Sequence, residues 1–302
     1  MTSMLHHLVE DVAVELQTHL PQDWLPANED HEGLIDRLWQ SGLLDLEALI
    51  ALLLRRADEE RIGGACRARQ SLRSTSVVQP LVSHEDGAVA AAAMAVLIAR
   101  GRRKDRFGQV VVELDDLDHG TAALLVHRVA AGLSERKPAQ ISASDAEARL
   151  AAAAEAVLAR HDPAKALDTV TAALVSAIDA AGLLDDSWVH LAIDCGDIAI
   201  LAQSLAARAQ APYPAVVTEL LSRDTGRTML ILRLASLSRD TAGHLLARLG
   251  DLLGVLPDSN PLAMFDSFAS SRLANAQVSL TSPQLLKDAL KALGHGHRNG
   301  SV

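Results

Sequence analysis

Apolar residues recur at the three- and four-residue spacing of an α-helix along almost the whole sequence. Leu5, Leu8, Val12 and Leu16 form one such stripe, which stops before Pro21. Further stripes follow, separated by Gly, Pro, Ser or Asp residues of the kind that start and end helices. Although 49% of the 302 residues are hydrophobic, the chain has only three Trp, one Tyr and three Phe. Strands are rich in aromatic and β-branched residues, so this pattern predicts an all-α fold.

One short segment is an exception to this pattern. Val110–Leu114 is β-branched enough to suggest a strand. It is short, however, and helical segments lie on both sides of it. We therefore predict a helix there as well.

Two parts of the chain align with each other. Residues 107–133 match residues 227–253 at a constant offset of 120, with seven identities in 27 positions. The identical pairs are Leu114/Leu234, Leu117/Leu237, Thr121/Thr241, Ala122/Ala242, Leu125/Leu245, Arg128/Arg248 and Leu133/Leu253. Further upstream Gly42 matches Gly196 at an offset of 154. The larger offset predicts an insertion of roughly thirty residues in the first copy, between about Asp58 and Arg106.

Repeated helix pairs of this length are typical of stacked antiparallel helices, as in a HEAT-like α-solenoid or a helical bundle. We predict a first helical-repeat copy with an Arg-rich insertion over 1–135 and a second copy over 140–256. Short helices and a disordered tail are predicted over 257–302. We expect six phase-matched leucines of the two copies to face the core: Leu114, Leu117, Leu125, Leu234, Leu237 and Leu245.

Charge and cysteine content limit the environment of the protein. The net charge of −10 opposes nonspecific attraction to nucleic acid or anionic lipid. The chain has two cysteines, Cys66 and Cys195, which are fewer than a disulfide-built scaffold would carry. This low number is consistent with a protein of the reducing cytosol. The longest apolar run, residues 88–99, is well short of the roughly 20 residues of a membrane span. We therefore expect a cytoplasmic protein with no membrane partner.

The sequence has none of the catalytic motifs that we tested. It lacks the phosphate loop GxxxxGK[ST], the zinc motif HExxH, CxxC and the nucleophile elbow GxSxG. Its twelve histidines are scattered, so we predict no metal site and no cofactor. Asp116 and Asp118 precede a helix that begins near Gly120, and capping of that helix accounts for them without acid–base catalysis. The sequence therefore favours a protein that is not an enzyme.

An arginine-rich segment departs from the acidic background. The segment from Arg55 to Arg106 contains eleven basic and six acidic residues. An insertion that the helical stack does not need is a reasonable place for function, so we predict contacts to an acidic protein surface there. The predicted contact residues are Arg100, Arg102, Arg103, Arg106, Arg67 and Arg69. The alternative interpretation is a solvated charged face closed by internal salt bridges.

Two stretches of the sequence resemble a known family. They are LVSHEDGAVAAAAMAVLIARGRRKDRFGQVVVELDDLDHGTAALLVHRVAAGL over 81–133 and WVHLAIDCGDIAILAQSLAARAQAPYPAVVTELLSRDTGRTMLILRLASLSRDTAGHLLARLGDLLG over 188–254. Both are similar to the alphaproteobacterial domain of unknown function 2336, and the resemblance covers about residues 5–254. It implies a helical-repeat fold and a bacterial cytosolic origin. It implies no catalytic residues.

These features together predict a noncatalytic helical-repeat adaptor that binds another protein, in a role such as bacterial signalling or stress regulation. One alternative is binding of nucleic acid through the arginine-rich segment, because several cations on one face can neutralise phosphates. The net charge and the scarcity of aromatic residues argue against it. The other alternative is an enzyme of an unfamiliar kind.

Overall fold

The computed structural model describes residues 2–21, 24, 32–42, 44–69, 76–134, 137–138, 140–222, 224–254 and 261–267. Within these ranges it contains thirteen α-helices and no strand. The helices are α1 (Thr2–Thr18), α2 (Glu32–Gln40), α3 (Glu47–Arg69), α4 (Gly87–Arg102), α5 (His119–Leu133), α6 (Ala143–Leu158), α7 (Leu167–Ala180), α8 (Asp186–Asp194), α9 (Ile198–Ala209), α10 (Tyr213–Leu221), α11 (Thr225–Leu234), α12 (Arg239–Leu253) and α13 (Pro261–Ser267). The predicted all-α fold is confirmed.

The prediction of a helix over Val110–Leu114 is wrong. Val110 forms an isolated antiparallel bridge with Lys104, and an irregular segment leads from it to a 3-10 helix over Leu114–Asp116. The cause lies just upstream, where Gly108 adopts a φ of +77° and reverses the chain. A reversed chain pairs Val110 with the residue before the turn, which a helix does not allow.

The described chain divides into two compact units, and each of them is discontinuous in sequence. Unit 1 comprises Met1–Glu60 and Ala91–Val170, and unit 2 comprises Arg61–Ala90 and Thr171–Val302. The predicted division into copies over 1–135 and 140–256 follows sequence similarity rather than compactness, and it stays a prediction. Most of the third predicted region, 257–302, lies outside the described residues, including the tail that we predicted to be disordered.

Unit 1 is built around α1 and α5. Helix α1 packs against α2, α5 and α6, and α5 also packs against α2 and α6. Their apolar stripes meet in a common core, whose fully buried members include Leu8, Leu16, Leu34, Leu125 and Leu133. Burial of each such side chain stabilises the fold by about 1.5–3 kcal/mol.

Unit 2 is built around α9. Ten of the twelve residues of this helix are buried, and it packs against α8, α10 and α11. Helix α12 packs against α8, α11 and α13. Trp188 Nε1 of α8 donates a hydrogen bond to Ser204 Oγ of α9 over 2.9 Å. Helix α9 is therefore the central helix of unit 2.

The aligned segments have matching local structures. Helices α5 and α12 have 15 residues each, and their bounds differ by the offset of 120 found in the sequence. Before α5, Asp118 accepts a hydrogen bond from Thr121 N, and before α12 Ser238 accepts one from Thr241 N. Helices α2 and α8 end just before the aligned glycines Gly42 and Gly196. Helix α2 packs against α5, and α8 packs against α12. The predicted capping role of Asp118 is confirmed.

The phase-matched leucines are mostly where the repeat predicts them. Four of them are buried, namely Leu117, Leu125, Leu237 and Leu245. Leu114 and Leu234, the first aligned pair, are only partly buried. Leu114 is the first residue of the 3-10 helix Leu114–Asp116, and Leu234 is the last residue of α11.

Candidate functional site

The structure brings some of the predicted contact arginines to one segment of unit 1. Arg100 is half-buried near the end of α4, Arg102 is exposed at its last position, and Arg106 is exposed in the turn that follows. Arg67 is exposed on α3, in a part of the chain that belongs to unit 2. The side chain of Arg69 lies outside the described residues. The role of these exposed arginines as partner contacts stays a prediction.

Arg103 does not fit that role, because its side chain is only 3% exposed. Its Nε donates to both carboxylate oxygens of Asp116, over 3.0 and 2.8 Å, and the Asp116 side chain is itself 1% exposed. Nη1 donates to the carbonyl of Ala99 over 3.0 Å, and Nη2 donates to the carbonyl of Lys165 over 3.1 Å. Arg103 therefore joins the end of α4 to two other segments of unit 1, which corrects the prediction of a surface contact.

Two other arginines of the basic segment also form ion pairs inside unit 1. Arg55 Nη2 lies 2.6 Å from Asp168 Oδ2, and Arg56 Nη2 lies 2.8 Å from Asp168 Oδ1. Burial alone raises the pKa of Asp168, but the two guanidinium groups outweigh that effect and lower it. For Arg55, Arg56 and Arg103 the alternative interpretation of internal salt bridges holds.

A tight turn over residues 104–110, here called the basic turn, follows α4. Asp105 Oδ1 accepts hydrogen bonds from Phe107 N and Gln109 N, both over 2.8 Å. Asp105 N donates in turn to the carbonyl of Gln109 over 2.9 Å. These bonds join residues within the turn, so they fix its conformation locally.

The basic turn presents an aromatic side chain to solvent. Phe107 is 73% exposed, the highest value among the exposed large hydrophobic residues of the described ranges. The guanidinium carbon of Arg106 lies 4.7 Å from the centre of its ring, within cation–π range. Sequence reasoning singled out Arg106 but missed Phe107 and Asp105. The signal was an aspartate three residues before a glycine, which is typical of a turn.

A cleft of about 340 Å³ lies in unit 1. It is formed by α1, the end of α4, the segment after the basic turn, and the end of α6 with the residues that follow it. Its lining residues are Leu8, Asp11, Val12, Glu15, Arg102, Glu113, Leu114, Asp115, Val157, Arg160, His161 and Lys165. This volume is at the lower end of the range for small-molecule sites.

The charged groups of this cleft are largely paired with one another. Arg102 Nε lies 3.1 Å from Glu113 Oε1, and Arg160 forms an ion pair with Glu15. Asp115 Oδ1 accepts a hydrogen bond from the backbone N of residue 162 over 2.8 Å. The cationic ends lie at the rim, since the side chains of Arg102 and Arg160 are 47% and 69% exposed. The side chains of Glu113 and Asp115 are less exposed, at 21% and 15%.

Unit 2 contains a polar network around the start of α12. Asp186 Oδ2 accepts from Ser238 N over 2.9 Å, and Asp186 Oδ1 lies 2.8 Å from a terminal nitrogen of Arg208. Burial raises the pKa of Asp186, but hydrogen bonds from Ser238, Thr241 and Arg208 outweigh it and lower the pKa to about 2. His190 Nε2 is 2.9 Å from Thr241 Oγ1. These bonds hold α8 to the start of α12, which is a structural role.

Across the described residues no group of three or more His, Cys, Asp or Glu side chains is arranged to hold a metal ion. None of the helices in those ranges is long and apolar enough to cross a membrane.

Comparisons with protein-family models, with curated proteins and with solved structures find no match. The resemblance to domain of unknown function 2336 therefore stays a prediction. The basic turn and the cleft are the candidate sites that the described part of unit 1 offers.

Proposed function

We propose that the protein is a noncatalytic helical adaptor that binds an acidic partner protein through the basic turn. The observation that carries the proposal is Phe107, which a preformed turn holds in solvent at 73% exposure. An exposed phenylalanine forgoes about 1.5–3 kcal/mol of burial free energy. Aromatic and arginine side chains are also the residue types that dominate binding energy at protein interfaces.

The end of α4 extends this surface. Met94 and Ile98 are 43% and 58% exposed, and they precede Arg102 at four-residue intervals. Residues four apart lie on the same face of a helix, so this face carries two apolar side chains and then a cation. Lys104 and Arg106 add exposed positive charge beside Phe107. An acidic partner with an apolar centre complements such a surface.

Membership of domain of unknown function 2336, and a role in bacterial signalling or stress regulation, are part of this proposal. The sequence resemblance supports the first, and the absence of tested catalytic motifs supports an adaptor over an enzyme. A stacked-helix protein offers extended surfaces for partners, which fits such a role.

Quantitative affinity purification from native lysate tests the proposal with three baits: the wild-type chain, Phe107→Ala and Leu124→Ala. Leu124 is a matched control, because it is also an exposed apolar residue, at 51%, but lies on α5. We expect a stoichiometric protein partner that Phe107→Ala loses and Leu124→Ala retains. With the purified partner, Phe107→Ala should weaken Kd by about thirtyfold or more.

Charge and stability measurements complete this test. Arg102→Glu should slow association in a salt-dependent manner, since rim charges act mainly on the association rate. The melting temperature of Phe107→Ala should match that of the wild type. Equal loss of the partner with both alanine variants, or no stoichiometric protein partner, contradicts the proposal. Capture of nuclease-sensitive material instead of protein supports nucleic-acid binding.

A further inference from the structure

Helix α4 is apolar all around its axis, yet one side of it is exposed. No charged residue occurs in the sequence from Gly87 to Ala99. The inner side of the helix is buried at Val89, Ala93, Val96 and Ala99. The outer side carries Met94 and Ile98, which are 43% and 58% exposed. A helix that is hydrophobic on every side is typically a buried helix, so the composition of α4 indicates that another surface covers its outer side.

The outer side of α4 has the residue spacing of a helix–helix interface. One exposed row, here called the α4 seam, consists of Gly87, Ala91, Met94, Ile98 and Gly101. Their alternating four- and three-residue intervals are the spacing at which one helix packs along another. The small residues let a second helix come close, and Met94 and Ile98 supply apolar area for contact. The α4 seam therefore fits the apolar face of a second helix.

The two ends of α4 carry opposite charge. Glu85 and Asp86 are exposed just before its first residue. Arg102, its last residue, is exposed, and so is Lys104 shortly after it. Arg102 also pairs with Glu113, but its side chain remains 47% exposed. Because all of these residues belong to one helix or directly adjoin it, the helix itself separates the acidic end from the basic end.

This charge order selects a partner helix and its direction. Two helices with the charge order of α4 bring opposite charges together at both ends when they pack antiparallel. Parallel packing of the same two helices brings like charges together. A second copy of this chain supplies a helix with this charge order and with the same uncharged seam.

We propose that the α4 seam binds the α4 seam of a second copy of this chain, with the two helices antiparallel. The two Met94 side chains meet at the two-fold axis, and Glu85 of each copy lies near the basic end of the other helix. Such a contact uses the same surface on both copies, as closed dimers do. The second copy and an acidic partner share the α4 part of the proposed adaptor surface, whereas Phe107 lies beyond α4. The proposal goes beyond the adaptor function and does not rest on it.

The dimer should be weak. Helix α4 has 16 residues, and one face of such a helix is smaller than the about 800 Å² per partner that a stable complex buries. We therefore expect a concentration-dependent dimer with a Kd on the order of 10–300 μM.

Sedimentation equilibrium of the purified full chain, from about 5 to 500 μM and at an ionic strength of about 0.15 M, tests the proposal. Met94→Glu places two carboxylates against each other at the two-fold axis, so it should weaken the dimer about tenfold or more. The matched control is Leu124→Glu, which makes the same kind of change at an exposed apolar residue of α5. Its Kd should stay within about twofold of the wild-type value, and thermal melting should show that both variants remain folded.

A charge exchange tests the antiparallel arrangement. Glu85→Lys and Lys104→Glu each place like charges at both ends of an antiparallel dimer, so each variant alone should dimerise more weakly than the wild type. An equimolar mixture restores opposite charges at both ends, so its average mass should exceed that of either variant alone at the same total concentration.

The outcomes separate this proposal from the adaptor function, because the purified chain is measured without any other protein. A chain that stays monomeric up to about 500 μM overturns the proposal of a dimer. So do equal effects of Met94→Glu and Leu124→Glu. A mixture of the charge variants that associates no better than its components overturns the antiparallel arrangement.

Discussion

Replacement of Arg103 by methionine should destabilise unit 1 far more than the same replacement at Arg102, its neighbour in sequence. The Arg103 side chain is 3% exposed and its partner Asp116 is 1% exposed, whereas Arg102 is 47% exposed. Methionine keeps much of the side-chain volume but leaves the Asp116 carboxylate buried without its cation. Removal of one partner from a buried ion pair costs about 3–5 kcal/mol, and loss of an exposed pair costs about 0–1 kcal/mol.

Urea unfolding and thermal melting, both followed by circular dichroism, measure the free energy of unfolding and the melting temperature of both variants. In a domain of this size 1 kcal/mol corresponds to roughly 2–4 °C, so Arg103→Met should melt roughly 6–20 °C below the wild type. Because the described chain has two compact units, hydrogen exchange should be measured as well, to localise the effect. Protection should fall at the end of α4, around the 3-10 helix Leu114–Asp116 and near Lys165, where the hydrogen bonds of Arg103 end.

A double-mutant cycle with Asp116→Asn tests the physical reason. If the cost comes from an unpaired buried charge, the double variant Arg103→Met/Asp116→Asn should lose less stability than the sum of the two single losses. A loss of under about 1 kcal/mol for Arg103→Met, or additive losses in the cycle, refutes the reasoning and restores Arg103 as a candidate surface contact.

Two further predictions concern unit 2. The lowered pKa of Asp186, about 2, means that its ionised form stabilises the folded state above about pH 4 and that this contribution disappears as the pH falls from about 4 to about 2. Asp186→Asn should therefore flatten the fall in melting temperature over this window, and an unchanged pH profile contradicts the assignment. Gly196→Ala should destabilise more than Gly182→Ala, although both glycines have positive φ, because only at Gly196 does an added Cβ lie 2.6 Å from Cys66 Sγ. Equal melting temperatures of the two alanine variants contradict this steric argument.

The fold could be predicted wherever local sequence and tertiary packing agree. Helix α9 is such a case, because a capping aspartate precedes an apolar segment with helical spacing and the core buries that segment. Val110–Leu114 shows the opposite case. The short length of this segment and the helical segments on both sides indicated a helix, and its partner in the alignment, residues 230–234, is helical. The hydrogen bonds of Asp105 and the positive φ of Gly108 outweighed them.

The candidate site was predicted less well, because charge in a sequence does not reveal burial. Arg102 and Arg103 are adjacent and chemically identical, yet one is exposed and the other is enclosed by Asp116 and backbone carbonyls. That difference depends on a contact thirteen residues away, which no local pattern encodes. The cleft is harder still to foresee, since Asp11 and His161 lie 150 residues apart in the sequence.

The helix caps of α5 and α12 show what two similar segments can preserve. Asp118 and Ser238 have nearly the same backbone angles, φ −65° with ψ 158° and φ −64° with ψ 156°, and each accepts a hydrogen bond from a threonine N three residues later. The two side chains differ in charge, length and acidity. Both segments keep a side-chain oxygen that accepts the same hydrogen bond at the start of the helix. A residue-by-residue identity score registers this position as a mismatch, so such a score understates how much structural information the two segments share.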